Sequence, residues 1–123
     1  MNAPVIIAAA RSAIGTAGRS LAGVTADQLA GPVLAATLDR SGLAPEDVSD
    51  VVLGNCMGPG GDVARSASLA AGLPVTVPAL TVDRQCASGL AAIDVAVIQA
   101  MSVPATHEIY RSWSTGDADP ARW

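Results

Sequence analysis

Leu80-Thr81-Val82-Asp83-Arg84-Gln85-Cys86-Ala87-Ser88-Gly89-Leu90-Ala91-Ala92-Ile93 is the stretch from which the fold and the chemistry are read. It predicts a buried strand, a tight turn, and a helix of small residues that begins at the cysteine. A thiol at that point faces the unpaired amide N–H groups and the positive dipole end of a helix, which favour the thiolate. This is one recognised way to make a cysteine reactive. The alternative is a cysteine packed as a small buried hydrophobe, the usual fate of a free thiol. Three features argue for reactivity. A strand feeds the turn, Ser88-Gly89 allows the backbone to come close to a ligand, and polar Asp83-Arg84-Gln85 makes the turn accessible.

Upstream, Val5 to Ala10 is a continuous apolar run, the pattern of a strand covered on both faces in a parallel sheet. Arg11 to Arg19 follows as a loop. Thr25-Ala26-Asp27-Gln28 has capping-box spacing, with Gln28 able to reach back to the cap. Ala26, Leu29, Ala30, Val33 and Ala36 then recur at helical spacing, Pro32 is expected to kink the helix, and Gly42 ends it. Pro45-Glu46-Asp47-Val48 reads as a short helical turn and Val51 to Gly54 as the second buried strand. Asn55-Cys56-Met57-Gly58-Pro59-Gly60-Gly61 is a glycine-rich loop with neither Walker nor GxGxxG spacing, so it is read as a loop beside the site. Cys56, at the strand end, is read as a packed small residue. Residues 63–72 form a second helix with Arg65 on its outer side, and Ala79 to Val82 is the third strand. The helix from Cys86 to about Met101 is apolar nearly all round, which predicts an element buried centrally, between layers or between subunits. Alternating strands and helices imply right-handed crossovers and a mostly parallel sheet covered by helices, an α/β fold.

With 123 residues the chain has room for one domain and a single modest core. Half of the residues are hydrophobic but Phe is absent, so the core must pack by close backbone approach. A net charge of −4 gives no basic footprint for nucleic acid. Two cysteines do not make a disulfide framework and fit a reducing, cytoplasmic compartment. The apolar start lacks the preceding positive charge of a signal peptide, and no apolar run is read as approaching a membrane span. No metal-ligand cluster is read from the spacing.

Val82-Asp83-Arg84-Gln85-Cys86-Ala87-Ser88-Gly89-Leu90 resembles the nucleophile motif of the thiolases, the acetyl-CoA acetyltransferase family. Ile6-Ile7-Ala8-Ala9-Ala10-Arg11-Ser12-Ala13-Ile14-Gly15-Thr16 and Ala64-Arg65-Ser66-Ala67-Ser68-Leu69-Ala70-Ala71-Gly72-Leu73-Pro74 agree in order and spacing. The resemblance implies a thiolase-like N-terminal domain over residues 1–102, incomplete, followed by an irregular tail over 103–123. It implies a cysteine acyl-enzyme in Claisen condensation or thiolytic cleavage of 3-ketoacyl-CoA, a reaction of fatty acid metabolism. Cys86 would be the acyl-accepting nucleophile, with its backbone N–H as an oxyanion donor. Ser88 and Gly89 would hold the turn and the helix start. Coenzyme A thioesters would be substrates, with no separate cofactor or metal. Arg11 would serve near subunit contacts, and the partner would be a second copy or a chain supplying the missing half.

Departures from the family pattern are equally plain. The family's catalytic histidine lies in a Gly-His-Pro motif and its second cysteine in a glycine-rich segment, both C-terminal, and neither motif is present. His107, the only histidine, lacks that context and reads as a solvated tail residue. Cys56 lies upstream of the nucleophile, the wrong side for the second cysteine. Asp83 stands where the family usually has Asn, and a carboxylate there would oppose thiolate formation. Tyr110, Trp113 and Trp123 lie in a tail that does not align, which fits a truncated or frame-shifted reading. The expectation is therefore that this chain alone does not turn over. Two other readings remain: a 3-ketoacyl-ACP synthase relative, and a non-catalytic chain acting through a partner.

Overall fold

The computed structural model describes residues 3–102. The tail from 103, with His107 and the aromatic residues, lies outside the described residues. In chain order the elements are α1 (Ala26–Ser41), a 3-10 turn (Pro45–Asp47), β1 (Val51–Gly54), α2 (Val63–Ala70), β2 (Ala79–Val82) and α3 (Ser88–Ser102). The two strands pair in parallel, Val51 with Ala79 through Gly54 with Val82. The α/β class and the parallel sheet are as the sequence implies.

The first helix shows how the local signals act. The Thr25 amide donates to Gln28 Oε1 at 3.1 Å, and the Thr25 hydroxyl donates to Asp27 at 2.6 Å. That hydroxyl holds the Asp27 carboxyl below its ordinary range. Gly42 terminates the helix in the left-handed conformation, φ 72°. Pro32 lies inside the helix on its exposed side, where α1 continues past it to Ser41. The opposite side carries Gly31, the buried residue of α1, where an added Cβ would lie 3.0 Å from the Cβ of Ala70. Helices α1 and α2 thus meet through a glycine and an alanine.

The second helix is held to the sheet by its own first turn. Asp62 caps it by accepting from the Arg65 amide at 3.2 Å. The Thr81 hydroxyl, in β2, donates to the same carboxylate and accepts from the Ala64 amide at 2.9 Å. Arg65 does not project outward as expected. Its guanidinium donates to the carbonyls of Val77 and Val75 at 2.6 and 2.8 Å, fixing the connection that leads into β2. Val51, Ala64, Leu73 and Val77 form the buried cluster, with Leu34, Leu38 and Leu53 packed around it.

Four expectations need correction. Val5 to Ala10 forms no strand. A strand requires a hydrogen-bonding neighbour, whereas here the Ala9 carbonyl is taken by the Arg40 guanidinium at 2.7 Å. Val5, Ile6 and Ile7 are exposed. They and Ala8 border an apolar cavity of about 500 Å³ beside Leu34 and Val51. The described sheet therefore has two strands, not three. Second, the helix expected from Cys86 starts at Ser88, and the helix expected over 63–72 ends at Ala70. Third, α3 is not covered on all sides by layers of this chain. Ser88, Ala91 and Ala92 are buried and Val95 and Gln99 half-buried, a narrow stripe at helical spacing, while Leu90, Ile93, Ile98 and Met101 are exposed.

Fourth, Gln85–Ser102 is an 18-residue window with mean hydropathy 1.2, long and apolar enough to cross a membrane. Its many alanines disguise it in a scan for bulky apolar runs. The same helix packs on β1 and β2, and Gln99 donates to Asp50 at 2.8 Å, a bond that ties it to the sheet.

Gly31→Val is expected to lower unfolding stability by about 1–3 kcal/mol, because the branched side chain must open the α1–α2 contact. A urea midpoint equal to or above that of the parent protein contradicts this packing. Asp62→Ala removes a cap and a strand-to-helix bond together, and a loss of about 1–2 kcal/mol is expected in the same assay.

Candidate active site

Parallel pairing sends both strands out of the sheet in one direction, so the segments after β1 and β2 leave at the same edge. In open α/β sheets that carboxyl edge is where ligands bind. The glycine-rich loop after β1 and the Cys86 turn after β2 meet there, since the Asn55 amide donates to the Val82 carbonyl at 3.0 Å. Asn55 also organises its own loop, accepting from the Gly58 amide at 3.1 Å and donating to the Pro59 carbonyl at 3.2 Å.

The turn from Asp83 to Ser88 is built almost wholly from local hydrogen bonds. Asp83 Oδ1 accepts from the Gln85 amide at 2.9 Å, the geometry of an Asx turn. Ser88 Oγ accepts from the Arg84 amide at 2.8 Å and donates to the Gln85 carbonyl at 2.6 Å. The Ala87 and Ser88 amides donate to the carbonyls of Arg84 and Gln85 at 3.1 and 3.0 Å. Gln85 has φ 51°, the only described non-glycine residue at positive φ. Such a conformation in a polar, unbranched residue marks a turn that its surroundings over-determine.

Cys86 is exposed and its thiol is free. It precedes α3 by two positions, so it sits in front of the helix N-terminus and not in its first turn. Its backbone forms an isolated parallel bridge with that of Arg84. The alternative of a small buried hydrophobe does not apply to this cysteine. Cys56 is half-exposed and free, a less packed position than the sequence suggested. Arg11 is exposed and donates to the neighbouring Ser12 carbonyl at 3.1 Å. Ser88 is buried and is the first residue of α3, with Gly89 second.

Two positions in this arrangement escape sequence reading. Asp83 is a hydrogen-bond acceptor for the turn, a role that its charge conceals. Gly54, in β1, faces the start of α3 so closely that an added Cβ would lie 2.4 Å from the Ser88 carbonyl carbon and 2.5 Å from the Gly89 nitrogen. A glycine ending a strand run was the one available signal for it. The apolar cavities of about 500 and 400 Å³ lie on the α1 side, and neither is lined by Cys86. Among the described residues no group of His, Cys, Asp or Glu could hold a metal ion.

Residues 4–106 match the family described as thiolase, N-terminal domain. An acetyl-CoA acetyltransferase of Cupriavidus necator is 45% identical over 95 residues, which cover 76% of this chain and 24% of that protein. One from Chromobacterium violaceum is 47% identical over 93 residues, covering 74% and 24%. The crystal structure of the Bacillus anthracis acetyl-CoA acetyltransferase superposes with a TM-score of 0.75 at 47% identity, covering 77% of this chain and 25% of that one. The chain thus spans about a quarter of the length of these relatives. On the extent of the domain match, and on the identity along three-quarters of its length, the chain belongs to the thiolase family.

Proposed function

We propose that this chain carries the acyl-accepting half of a thiolase reaction, with Cys86 as the nucleophile. The observation that supports the reading is an exposed thiol in a turn held by local hydrogen bonds at the carboxyl edge of two parallel strands. The Cys86 thiolate attacks the carbonyl carbon of an acyl-CoA thioester and a new C–S bond forms. Negative charge gathers on the carbonyl oxygen, for which the Cys86 N–H serves as the donor. Collapse breaks the bond to the CoA sulfur, CoA leaves as the thiolate, and the proton lost by Cys86 ends on it. One thioester is exchanged for another, so little energy is lost at the intermediate.

The remaining steps need groups outside the described residues. By the family resemblance they are a histidine that relays the proton and a second cysteine that deprotonates acetyl-CoA. In this reading a chain carrying the rest of the thiolase length brings them, since a second copy of these 123 residues holds neither motif. Exposed Ile6, Ile7, Leu90 and Ile98 favour such an association. Coenzyme A thioesters are the substrates, no separate cofactor takes part, and two free thiols suit a cytoplasmic setting.

Incubation of the 123-residue protein with acetyl-CoA is expected to leave one acetyl group on the peptide containing Cys86, read by mass spectrometry. Cys86→Ser is expected to abolish it and Cys56→Ser to leave it. Acetylation at Cys56 in preference to Cys86 rules out the assignment. In a steady-state assay the isolated chain is expected to show no thiolysis of acetoacetyl-CoA, and sustained CoA-dependent turnover contradicts the need for a further chain.

A further inference from the structure

We infer that Gly54, on the neighbouring strand, is a positioning residue for Cys86. The inference rests on the reading of Cys86 as nucleophile but is argued from separate geometry. The three atoms nearest to a Cβ on Gly54 all belong to backbone: Ser88 C at 2.4 Å, Gly89 N at 2.5 Å and Ser88 O at 2.6 Å. No side-chain rotation relieves such a contact. Either the start of α3 lifts from the sheet, or the end of β1 does.

Both ends of the Cys86 turn are therefore seated at the same residue. At its entrance, Val82 pairs with Gly54 in the parallel ladder. At its exit, Ser88 and Gly89 rest against Gly54. Between these anchors Ser88 Oγ grips the Arg84 amide and the Gln85 carbonyl, so a shift of Ser88 is transmitted to the residues flanking Cys86. A methyl group at position 54 acts on the thiol without touching it. The displacement needed to reach ordinary contact is of the order of an ångström, enough in an acyl-transfer site to cost about two orders of magnitude in rate.

The test compares Gly54→Ala with Gly60→Ala, a loop position where an added Cβ meets nothing within 4 Å. Iodoacetamide alkylation of Cys86 and Cys56 is followed across pH in the intact protein, together with amide resonances and circular dichroism. Folded Gly54→Ala is expected to show about a tenfold or larger change in the Cys86 rate with an altered pH profile. Cys56 should keep its rate, the amides of Arg84 to Ser88 should move, and Gly60→Ala should match the parent. Unmoved amides and an unchanged Cys86 profile in folded Gly54→Ala overturn the inference. If Gly54→Ala does not fold, Ser88→Ala releases the same turn without added volume. A changed Cys86 profile then supports transmission through Ser88, and an unchanged one refutes it. The amide readout does not depend on acylation. Failure of acetyl transfer to Cys86 with moved amides removes the proposed chemistry, and leaves the seating of the turn in place.

Discussion

Four pairs of residues in a parallel ladder, Val51–Gly54 against Ala79–Val82, constrain nearly everything else in this chain. Because the strands run the same way, the path from one to the next must cross over, and α2 is that crossover. The same pairing places the two outgoing loops side by side at the carboxyl edge. Thr81 and Asp62 then fasten the N-terminus of α2 to β2, and Arg65 fastens the entry to β2 from the other end. The ladder is short, so these side-chain bonds to backbone do much of the work that longer strands would do through their own hydrogen bonds.

The packing follows from composition. With no phenylalanine and many alanines, surfaces can approach only where side chains are small. Gly31 against Ala70 joins α1 to α2, Gly54 against Ser88 joins β1 to α3, and Ala64, Ala67, Ala91 and Ala92 are buried between. A core of this kind buries little apolar area per residue and depends on complementarity of backbone shape. It also leaves larger side chains at the periphery. Leu90, Ile93, Ile98 and Met101 along α3, with Val5, Ile6 and Ile7 near the start, form apolar surface of the sort that soluble proteins normally cover.

Much of this was legible in the residues, and the gaps have physical causes. Gly42 as helix stop and Pro45–Asp47 as a turn match because they rest on local chemistry. Val51–Gly54 and Ala79–Val82 match in extent because each finds the other as neighbour, although β2 is not buried as expected. The apolar run from Val5 to Ala10 reads as a strand but does not pair, since its pattern speaks of burial and the ladder depends on a neighbour. For α3 the composition indicated a helix covered on all sides, whereas cover is a property of what packs against it. Cys86 was visible as a candidate through its motif. Its seat on Gly54 was not, because the closeness of Gly54 and Ser88, 34 positions apart, leaves only a glycine as its trace.

The positive φ of Gln85 bears on why the turn has this form. A left-handed residue other than glycine costs roughly 1–2 kcal/mol. Each buried or geometrically fixed hydrogen bond returns about 0.5–1.5 kcal/mol. The Asp83 acceptor and the two bonds of Ser88 together outweigh the cost, so the strained turn is the stable one. Glycine at 85 would remove the strain but would also free the turn in the unfolded and folded chain alike. Gln85 admits fewer conformations, and the three bonds select among them. The result is a cysteine held in place by neighbours whose backbone groups are engaged. On the reading proposed for Cys86, its N–H is the group that would donate to an acyl oxygen.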